Sequence, residues 1–385
     1  MKIMFFVGYA NPKWNKQTWE EKGIGGSEYC VIKLSEELAQ QGHTVYVVGD
    51  VEGCYINKVT YLHHDHILDN GKDISYADAI AFTKWDWVIA INYLSYMKIL
   101  DECSIEFDKS LFWVHNENWH NWYKGKELTQ EEQSHYLQDK RLTKIICVSE
   151  WQVPYVKKQV NKALGYTPQN DHTYIQVINN AIDPKDWDEV DDEKVPNSFI
   201  YSSATDRGLE LLLDMWPQIR GGLPDASLRV CTPPYSEKWG YEIPETEGVT
   251  WLGALGPKAL YSEIAKAEYW LYPSKCPETY CITALEMMMG GVKICSTNTG
   301  NLDSLLIGDD ARLKGKITDV GKLEYDMMNE MIDNIIRDKG TCHDDKQFHY
   351  EWYNTTMKNK KWVMKQSWEK RTMEWVDILF KPKET

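Results

Sequence analysis

Short, continuous apolar runs recur along the chain, and many of them precede a segment with apolar residues at helical spacing. Continuous runs of this length indicate strands that are buried on both faces. Strands that alternate with helices predict an α/β protein with parallel sheets. The runs lie at 3–7, 45–48, 59–62, 87–91, 111–114, 145–148, 174–178, 198–201, 228–230, 249–252, 269–273 and 293–295.

Helical stripes follow several of these runs. Val31, Leu34 and Leu38 come after a glycine-rich stretch, and Gly42 is a typical helix end. Further stripes lie at 209–216 and 258–267, and the spacing over 359–380 predicts one long amphipathic helix.

The length predicts two domains. A chain of 385 residues exceeds the usual size of one hydrophobic core. We place an N-terminal Rossmann-like domain at 1–182, completed by the helix within 359–385, and a C-terminal Rossmann-like domain at 183–358. The acidic stretch 186–193 is interpreted as the linker.

The formal net charge of −15 argues against nonspecific binding to nucleic acid or anionic lipid. No run approaches the roughly 18 apolar residues of a membrane span, so no transmembrane segment is expected. The nine cysteines are scattered singly without a Cys-x-x-Cys pair. This pattern is typical of reduced thiols in the cytoplasm.

The stretch 274–286 carries the strongest candidate chemistry. It follows a buried strand, and Thr279 is expected to cap a helix that runs through Met289 and stops at Gly290. Glu278 then lies before the helix and Glu286 within it, with their backbones roughly 12 Å apart. A carboxylate beside a helix N-terminus and a second one farther along suit a ligand with an anionic middle and hydroxyl groups at both ends. A sugar nucleotide is such a ligand.

In this stretch the chain resembles the retaining glycosyltransferases of family 4. Their signature is Pro-Ser, a short spacer, then Glu-x-aromatic-Gly and a second Glu, with seven residues between the glutamates. The chain has Pro273-Ser274, Glu278, Tyr280 and Glu286, with a spacer of three residues where two are usual. Cys281 replaces the usual glycine, and Lys293 replaces a common proline. The resemblance covers about residues 23 to 305.

The resemblance implies a GT-B fold, in which two doubly wound parallel-sheet domains face a cleft and the last helix crosses back to the first domain. It implies a hexosyltransferase that moves a sugar from a nucleotide-diphosphate sugar to a glycan, lipid or other hydroxyl acceptor, with retained configuration. No metal and no cofactor are expected, since positive side chains and helix N-termini hold the diphosphate.

The resemblance also implies roles for individual donor-site residues. Glu286 would hold the ribose and Glu278 the donor sugar, and Arg207 would contact the diphosphate. Ser202 stands where the family has a second cation, and Asn301 stands where it has a second glycine. The remaining donor-binding residues are expected to be Gly25, Gly26, Lys275, Thr279, Tyr280, Cys281 and Gly300.

In the first domain, His115 and Asn116 follow a buried strand, at the sheet edge where active sites form. The resemblance implies that His115 points at the donor sugar and is catalytic together with Glu278. Ser149 follows the next strand, and the resemblance assigns it to the acceptor together with Asn116.

Metal binding is not expected at either metal-like pattern. Residues 63–66 would point to opposite faces of a strand, and the Asp186-x-Asp188 pair lies in the linker with no buried strand before it. A basic cluster at 358–361 could touch an acidic membrane surface.

Two alternative functions stay open. One is a sugar-nucleotide epimerase or hydrolase that uses His115 with Glu117. The other is a non-catalytic sugar-nucleotide or glycan-binding protein. A dinucleotide-dependent dehydrogenase is disfavoured, because the Gly-x-Gly-x-x-Gly fingerprint is absent.

Overall fold

The computed structural model describes residues 1–9, 12–63, 83–123, 125–167, 174–239, 244–306, 333 and 345–380. The chain divides into two compact units. Unit 1 consists of Met1–Gln17, Gly26–Asn180 and Trp368–Thr385, and unit 2 consists of Thr18–Gly25 and Ala181–Ser367.

Unit 1 is built around an eight-stranded sheet in the order β10-β9-β6-β5-β1-β2-β4-β3. Its strands are parallel except for β3, which is antiparallel to β4. This sheet confirms the parallel sheet that the continuous apolar runs predicted. The strands are β1 (Lys2–Gly8), β2 (Thr44–Gly49), β3 (Cys54–Ile56), β4 (Val59–His63), β5 (Trp85–Ile91), β6 (Phe107–Val114), β9 (Leu142–Cys147) and β10 (Ile175–Val177), and a small separate hairpin pairs β7 (Trp122–Tyr123) with β8 (Lys126–Glu127).

Helix α2 (Gly26–Gln40) of unit 1 is terminated by Gly42, as predicted. The amide of His43 donates to Leu38 O and that of Gly42 to Ala39 O. This pair of bonds is the Schellman motif, and Gly42 has the positive φ of 89° that the motif requires. The helices of unit 1 are α2 (Gly26–Gln40), α3 (Tyr96–Glu102), α4 (Gln130–Leu137), α5 (Val153–Leu164) and α11 (Trp368–Phe380), and α1 (Lys16–Lys22) spans the boundary of the two units.

Unit 2 contains a five-stranded parallel sheet in the order β13-β12-β11-β14-β15. Counted along the chain this is 3-2-1-4-5, the Rossmann-like order. Its strands are β11 (Ser198–Ser202), β12 (Ser227–Cys231), β13 (Val249–Gly253), β14 (Tyr269–Tyr272) and β15 (Lys293–Ser296). Its helices are α6 (Leu209–Gly222), α7 (Pro257–Lys266), α8 (Ile282–Met289), α9 (Leu302–Leu305) and α10 (Asp345–Val363).

The prediction of one long helix over 359–380 is wrong. Helix α10 ends at Val363 and α11 begins at Trp368. Between them the backbone pairs with another segment: the amide of Ile182 donates to Gln366 O, and Ile182 forms a parallel bridge with Ser367. Helix α10 therefore belongs to unit 2, and only α11 crosses back to unit 1. The boundary after Asn180 lies two residues before the predicted one.

The acidic stretch after Ile182 is more ordered than a linker. Pro184–Trp187 forms a 3-10 helix whose N-cap is Asp183, which accepts from the amide of Lys185. Trp187 is buried and stacks on Tyr261, with ring centroids 4.2 Å apart. This stretch therefore packs against α7 and is not an extended linker.

In an open parallel sheet, ligands bind beyond the carboxyl ends of the strands, where the strand order reverses. In unit 2 this point lies between the neighbouring strands β11 and β14. In unit 1 it lies between β1 and β5. The loop after each of these strands is where a site is expected.

Helix α11 is attached to unit 1 through a tryptophan pair, and truncating it should be costly. Trp375 is fully buried, and its ring centroid lies 4.6 Å from that of Trp113 on β6. Trp375→Ala should lower the free energy of unfolding by about 3 kcal/mol or more, as measured by denaturant titration. Met373→Ala on the same helix is the control, because Met373 is 61% exposed. An equal effect of both changes would contradict the docking of α11.

Candidate functional site

The strongest candidate site of unit 2 lies at the strand-order reversal between β11 and β14. Arg207 follows β11 and Glu278 follows β14. Because the two strands are hydrogen-bonded neighbours, the loops after them start side by side. The sheet thus brings a cation and a carboxylate together from segments about 70 residues apart in sequence.

Two glycines approach the loop after β14 closely, one from the loop after β11 and one from the loop after β15. A Cβ built on Gly208 would lie 2.1 Å from Pro273 O, so only a glycine permits this approach. A Cβ on Gly300 would lie 2.3 Å from Glu278 O. The amide of Asn301 donates to that same oxygen at 2.7 Å. Gly300 therefore supports the backbone of Glu278.

Glu278 is partly buried, and it interacts with the hydroxyl of Tyr272 and with the charge of Arg207. Tyr272 donates its hydroxyl to Glu278 Oε1 at 2.5 Å. Burial raises the pKa of Glu278, and the Tyr272 hydrogen bond and the Arg207 charge reduce that rise. Burial acts to lower the pKa of Arg207, but Glu278 and other neighbours more than compensate and raise it. Arg207 is therefore charged at any physiological pH.

The helix that carries Glu286 begins later than predicted. The N-cap of α8 is Cys281, so the assignment of Thr279 as the cap is wrong. Cys281 adopts a left-handed conformation with φ of 73°, which L side chains rarely do. This conformation explains physically why a glycine suits the position.

Glu286 lies about one turn into α8, in an acidic and partly buried setting. Burial raises its pKa to about 7; a hydrogen bond with Tyr261 opposes this rise, and the charge of Asp186 adds to it. The Tyr261 ring is held by its stack on Trp187. Trp187, in the stretch that was predicted to be a linker, therefore supports Tyr261, and Tyr261 supports Glu286.

The other predicted donor-site residues of unit 2 differ in exposure. Lys275 and Thr279 are partly buried, and Tyr280 is buried. The backbone oxygen of Ser274 accepts from Thr297 Oγ1 at 2.8 Å, which ties the turn after β14 to the end of β15. Gly25 also clusters with unit 2.

In unit 1, His115 lies where β6 ends and is held through its backbone. Its amide donates to Asn92 Oδ1 at 2.7 Å, and its ring centroid lies 4.3 Å from that of Trp113. Burial lowers the pKa of His115 to about 3, so the imidazole is neutral at physiological pH. Asn116 beside it is exposed.

Ser149 is nearly fully buried at the end of β9. Its hydroxyl accepts from the amide of Gln152 at 3.3 Å. The side chain of Gln152 accepts from Val148 and donates to the backbone oxygens of Val114 and Asn116. Gln152 thereby joins the ends of β6 and β9, and it fixes the loop that carries His115 and Asn116.

Gly26 is the first residue of α2 in unit 1. In the first turn of this helix, Ser27 donates to Glu28 Oε2 at 3.1 Å. Burial raises the pKa of Glu28. The helix start therefore carries a carboxyl group close to Gly25 and Gly26, which were predicted to bind the donor.

Among the described residues, no group of three or more metal-binding side chains is found. His63 pairs with Asp50 at 3.2 Å, and residues 64–66 of the histidine-rich stretch lie outside the described residues. Eight cysteines are free thiols, and the ninth, Cys342, lies outside the described residues. No described helix has the length and apolar character needed to cross a membrane.

Several residues that shape these sites were not predicted. Tyr272 and Tyr261 each bond a glutamate of the pair. Asn92 and Gln152 hold the loops of unit 1. For Asn92 a signal existed, because it directly follows a buried strand. For the two tyrosines the sequence showed only an apolar run and a helical stripe.

No protein-family model matches the chain, and no curated protein sequence matches it. Several solved structures are similar to the chain. Sucrose-phosphate synthase from Thermosynechococcus elongatus is 14% identical with a TM-score of 0.65, and the match covers 98% of each chain. HepE from Anabaena in complex with UDP-glucose is 14% identical with a TM-score of 0.61, covering 98% of this chain and 99% of that one.

A third match is the GtfA/B complex, at 16% identity and a TM-score of 0.53. It covers 77% of this chain, which spans only 57% of the length of that one. The near-complete matches are to structures of the GT-B fold. They confirm the predicted GT-B fold.

The approach of Gly208 to Pro273 gives a direct test of the loop packing. Gly208→Ala should lower the free energy of unfolding by about 3 kcal/mol, since it combines a positive φ with a backbone clash. Gly291→Ala is the control, because Gly291 has a similar φ and no heavy atom within 4 Å among the described residues outside its chain neighbours. It should cost only about 1 kcal/mol. Equal losses in denaturant titrations would refute the contact.

Proposed function

We propose that the protein is a retaining glycosyltransferase that moves a sugar from a nucleotide-diphosphate sugar to a hydroxyl acceptor without a metal ion. The observation that carries the proposal is that Arg207 and Glu278 follow the neighbouring strands β11 and β14 at the strand-order reversal of unit 2, where the charge of Arg207 acts on Glu278. This is the place where a Rossmann-like sheet receives a nucleotide. The GT-B fold of the neighbouring structures supports the same assignment.

The diphosphate would lie beside Arg207 and the start of α8. A guanidinium can bind a phosphate with two parallel hydrogen bonds, and a helix N-terminus adds free amides and a favourable dipole. Such fixed donors stabilise the negative charge that develops on the departing diphosphate. The chain itself supplies positive charge here, which is the role a metal ion plays in other transferases.

The two glutamates would bind hydroxyl groups at the two ends of the donor. We assign Glu278, close to Arg207, to the transferred sugar, and Glu286, farther along α8, to the ribose. As carboxylates, both are strong acceptors of hydroxyl hydrogen bonds. Retention is inferred from the spacing of seven residues between them, which matches that of the retaining family.

Unit 1 would bind the acceptor, and Asn116 is its most exposed candidate. Ser149 would act through the loop geometry that it shares with Gln152. His115 can offer a neutral hydrogen-bonding imidazole to the sugar. Its low pKa disfavours the epimerase or hydrolase hypothesis, which needs a group that takes up and releases a proton near neutral pH. The free thiols favour the cytoplasm.

Thermal stabilisation by nucleotide-diphosphate sugars, with EDTA present, tests the donor site. UDP-glucose is the first candidate, since it is bound by HepE. A selective rise in Tm with one nucleotide base should survive EDTA. Glu286→Ala should weaken that binding about tenfold or more, since hydroxyl groups lose a charged acceptor. Glu210→Ala, which removes an exposed glutamate of α6, should bind like the unmodified protein.

The absence of stabilisation by every sugar nucleotide would overturn the donor site. Binding without transfer to any acceptor would instead favour a sugar-nucleotide-binding protein. Transfer is checked by incubating the donor that binds with sugar and lipid acceptors, and by determining the anomeric configuration of the product. An inverted product would contradict retention.

Donor binding should depend on pH through Glu286, whose pKa is raised to about 7. Its ionised form accepts the ribose hydroxyls, so affinity should increase as the pH rises from about 6 to about 8. Isothermal titration with the intact sugar nucleotide measures this, because the phosphates of a diester do not titrate in this range. In Glu286→Gln the pH dependence should vanish. The same dependence in that variant would assign it to another group.

A further inference from the structure

Tyr272, the last residue of β14, directs its hydroxyl at Glu278. We propose that Tyr272 is a positioning residue that fixes the orientation of the Glu278 carboxylate through this hydrogen bond. The inference rests on the proposed function, because it deepens the role given there to Glu278. The argument uses the packing of the Tyr272 ring and the direction of the hydrogen bonds around its hydroxyl.

The ring of Tyr272 has little freedom. It is 1% exposed and stacks on Trp270, with centroids 4.5 Å apart and an angle of 17° between the planes. The Tyr272 backbone lies in a strand, and its oxygen accepts from the amide of Thr297. A hydroxyl on so fixed a ring is a rigid reference point for a neighbouring side chain.

Glu278 itself lies in a loop, where a carboxylate without a partner could adopt several rotamers. The distance of 2.5 Å to Tyr272 is typical of a hydroxyl that donates to an ionised carboxylate. The backbone of Glu278 is held separately by Gly300 and Asn301. Tyr272 therefore completes the fixation by holding the side chain.

Counting protons around the site gives the direction of each bond. Tyr201 donates to Ala204 O at 2.6 Å, so its single proton is used there. Ser203 lies 3.3 Å from the Tyr272 hydroxyl and also bonds Tyr201. With Glu278 ionised, Tyr272 donates to it, and Ser203 can donate to either tyrosine oxygen. Every hydroxyl is then satisfied with Glu278 in its carboxylate form.

The electrostatics agree with this direction. The hydrogen bond from Tyr272 lowers the pKa of Glu278 against the effect of burial. Removing the hydroxyl should therefore raise that pKa further. Since the ionised form is the one that accepts sugar hydroxyls, the acid limb that Glu278 contributes to the activity profile should move to higher pH. A purely structural role of Tyr272 would not move it.

Tyr272→Phe is the test, since it removes one oxygen and keeps the ring. With the donor that the protein uses, kcat/KM at neutral pH should fall about tenfold or more. In the Glu286→Gln background, where the Glu286 titration is absent, Tyr272→Phe should shift the acid limb upward by about one pH unit. Tyr96→Phe is the matched control. It removes a fully buried hydroxyl that bonds Ser110 in unit 1, and it should leave the pH profile unchanged.

A second readout does not depend on sugar transfer. The infrared carboxyl band of Glu278, assigned from its loss in Glu278→Gln, gives the pKa of this group in the free protein. In Tyr272→Phe the titration midpoint should rise by about one pH unit. An unchanged midpoint in folded Tyr272→Phe would overturn the proposal. Failure of the proposed function would instead appear as no donor binding in the unmodified protein, with the infrared shift intact.

Discussion

The candidate donor site depends on the close contact of the loops that follow β11 and β14. Gly208 allows its loop to touch the backbone of Pro273, and Gly300 does the same at Glu278. These contacts place the guanidinium of Arg207 beside a partly buried carboxylate. A buried charge without a partner would be costly, so each of the two groups is stabilised by the other. The pair nevertheless needs the tyrosine hydroxyl and the glycine contacts to hold one geometry.

The site also resolves an electrostatic conflict. A chain with a net charge of −15 repels an anionic donor at long range. Binding a diphosphate therefore requires a local positive field, which Arg207 and the start of α8 can supply. Of the acidic groups nearby, Asp206 pairs with Arg207 at 3.6 Å, whereas Glu278 faces Tyr272 and Glu286 faces Tyr261 and Asp186. The positive element thus acts close to where the diphosphate would lie.

Much of the fold was predictable, because continuous apolar runs report burial on both faces of a parallel sheet. The runs correspond to the parallel strands of the two sheets, whereas the antiparallel β3 left no such pattern. The cap at Thr279 and the single last helix were wrong for a shared reason. Local preference favoured Thr279, but distant backbone contacts at Glu278 and at Ile182 decide where α8 begins and where α10 ends. The role of Tyr272 was not predicted, because the direction of a side chain at the end of a strand depends on packing with residues that are distant in sequence.

The most direct test of the account is a crystal structure of the protein with the nucleotide-diphosphate sugar that binds it. The account predicts the diphosphate within hydrogen-bonding distance of Arg207 and the first turn of α8. It places the ribose hydroxyls on Glu286 and the sugar hydroxyls on Glu278. A diphosphate that is bound elsewhere in unit 2, or only at the start of α2 with Arg207 unengaged, would contradict the central claim.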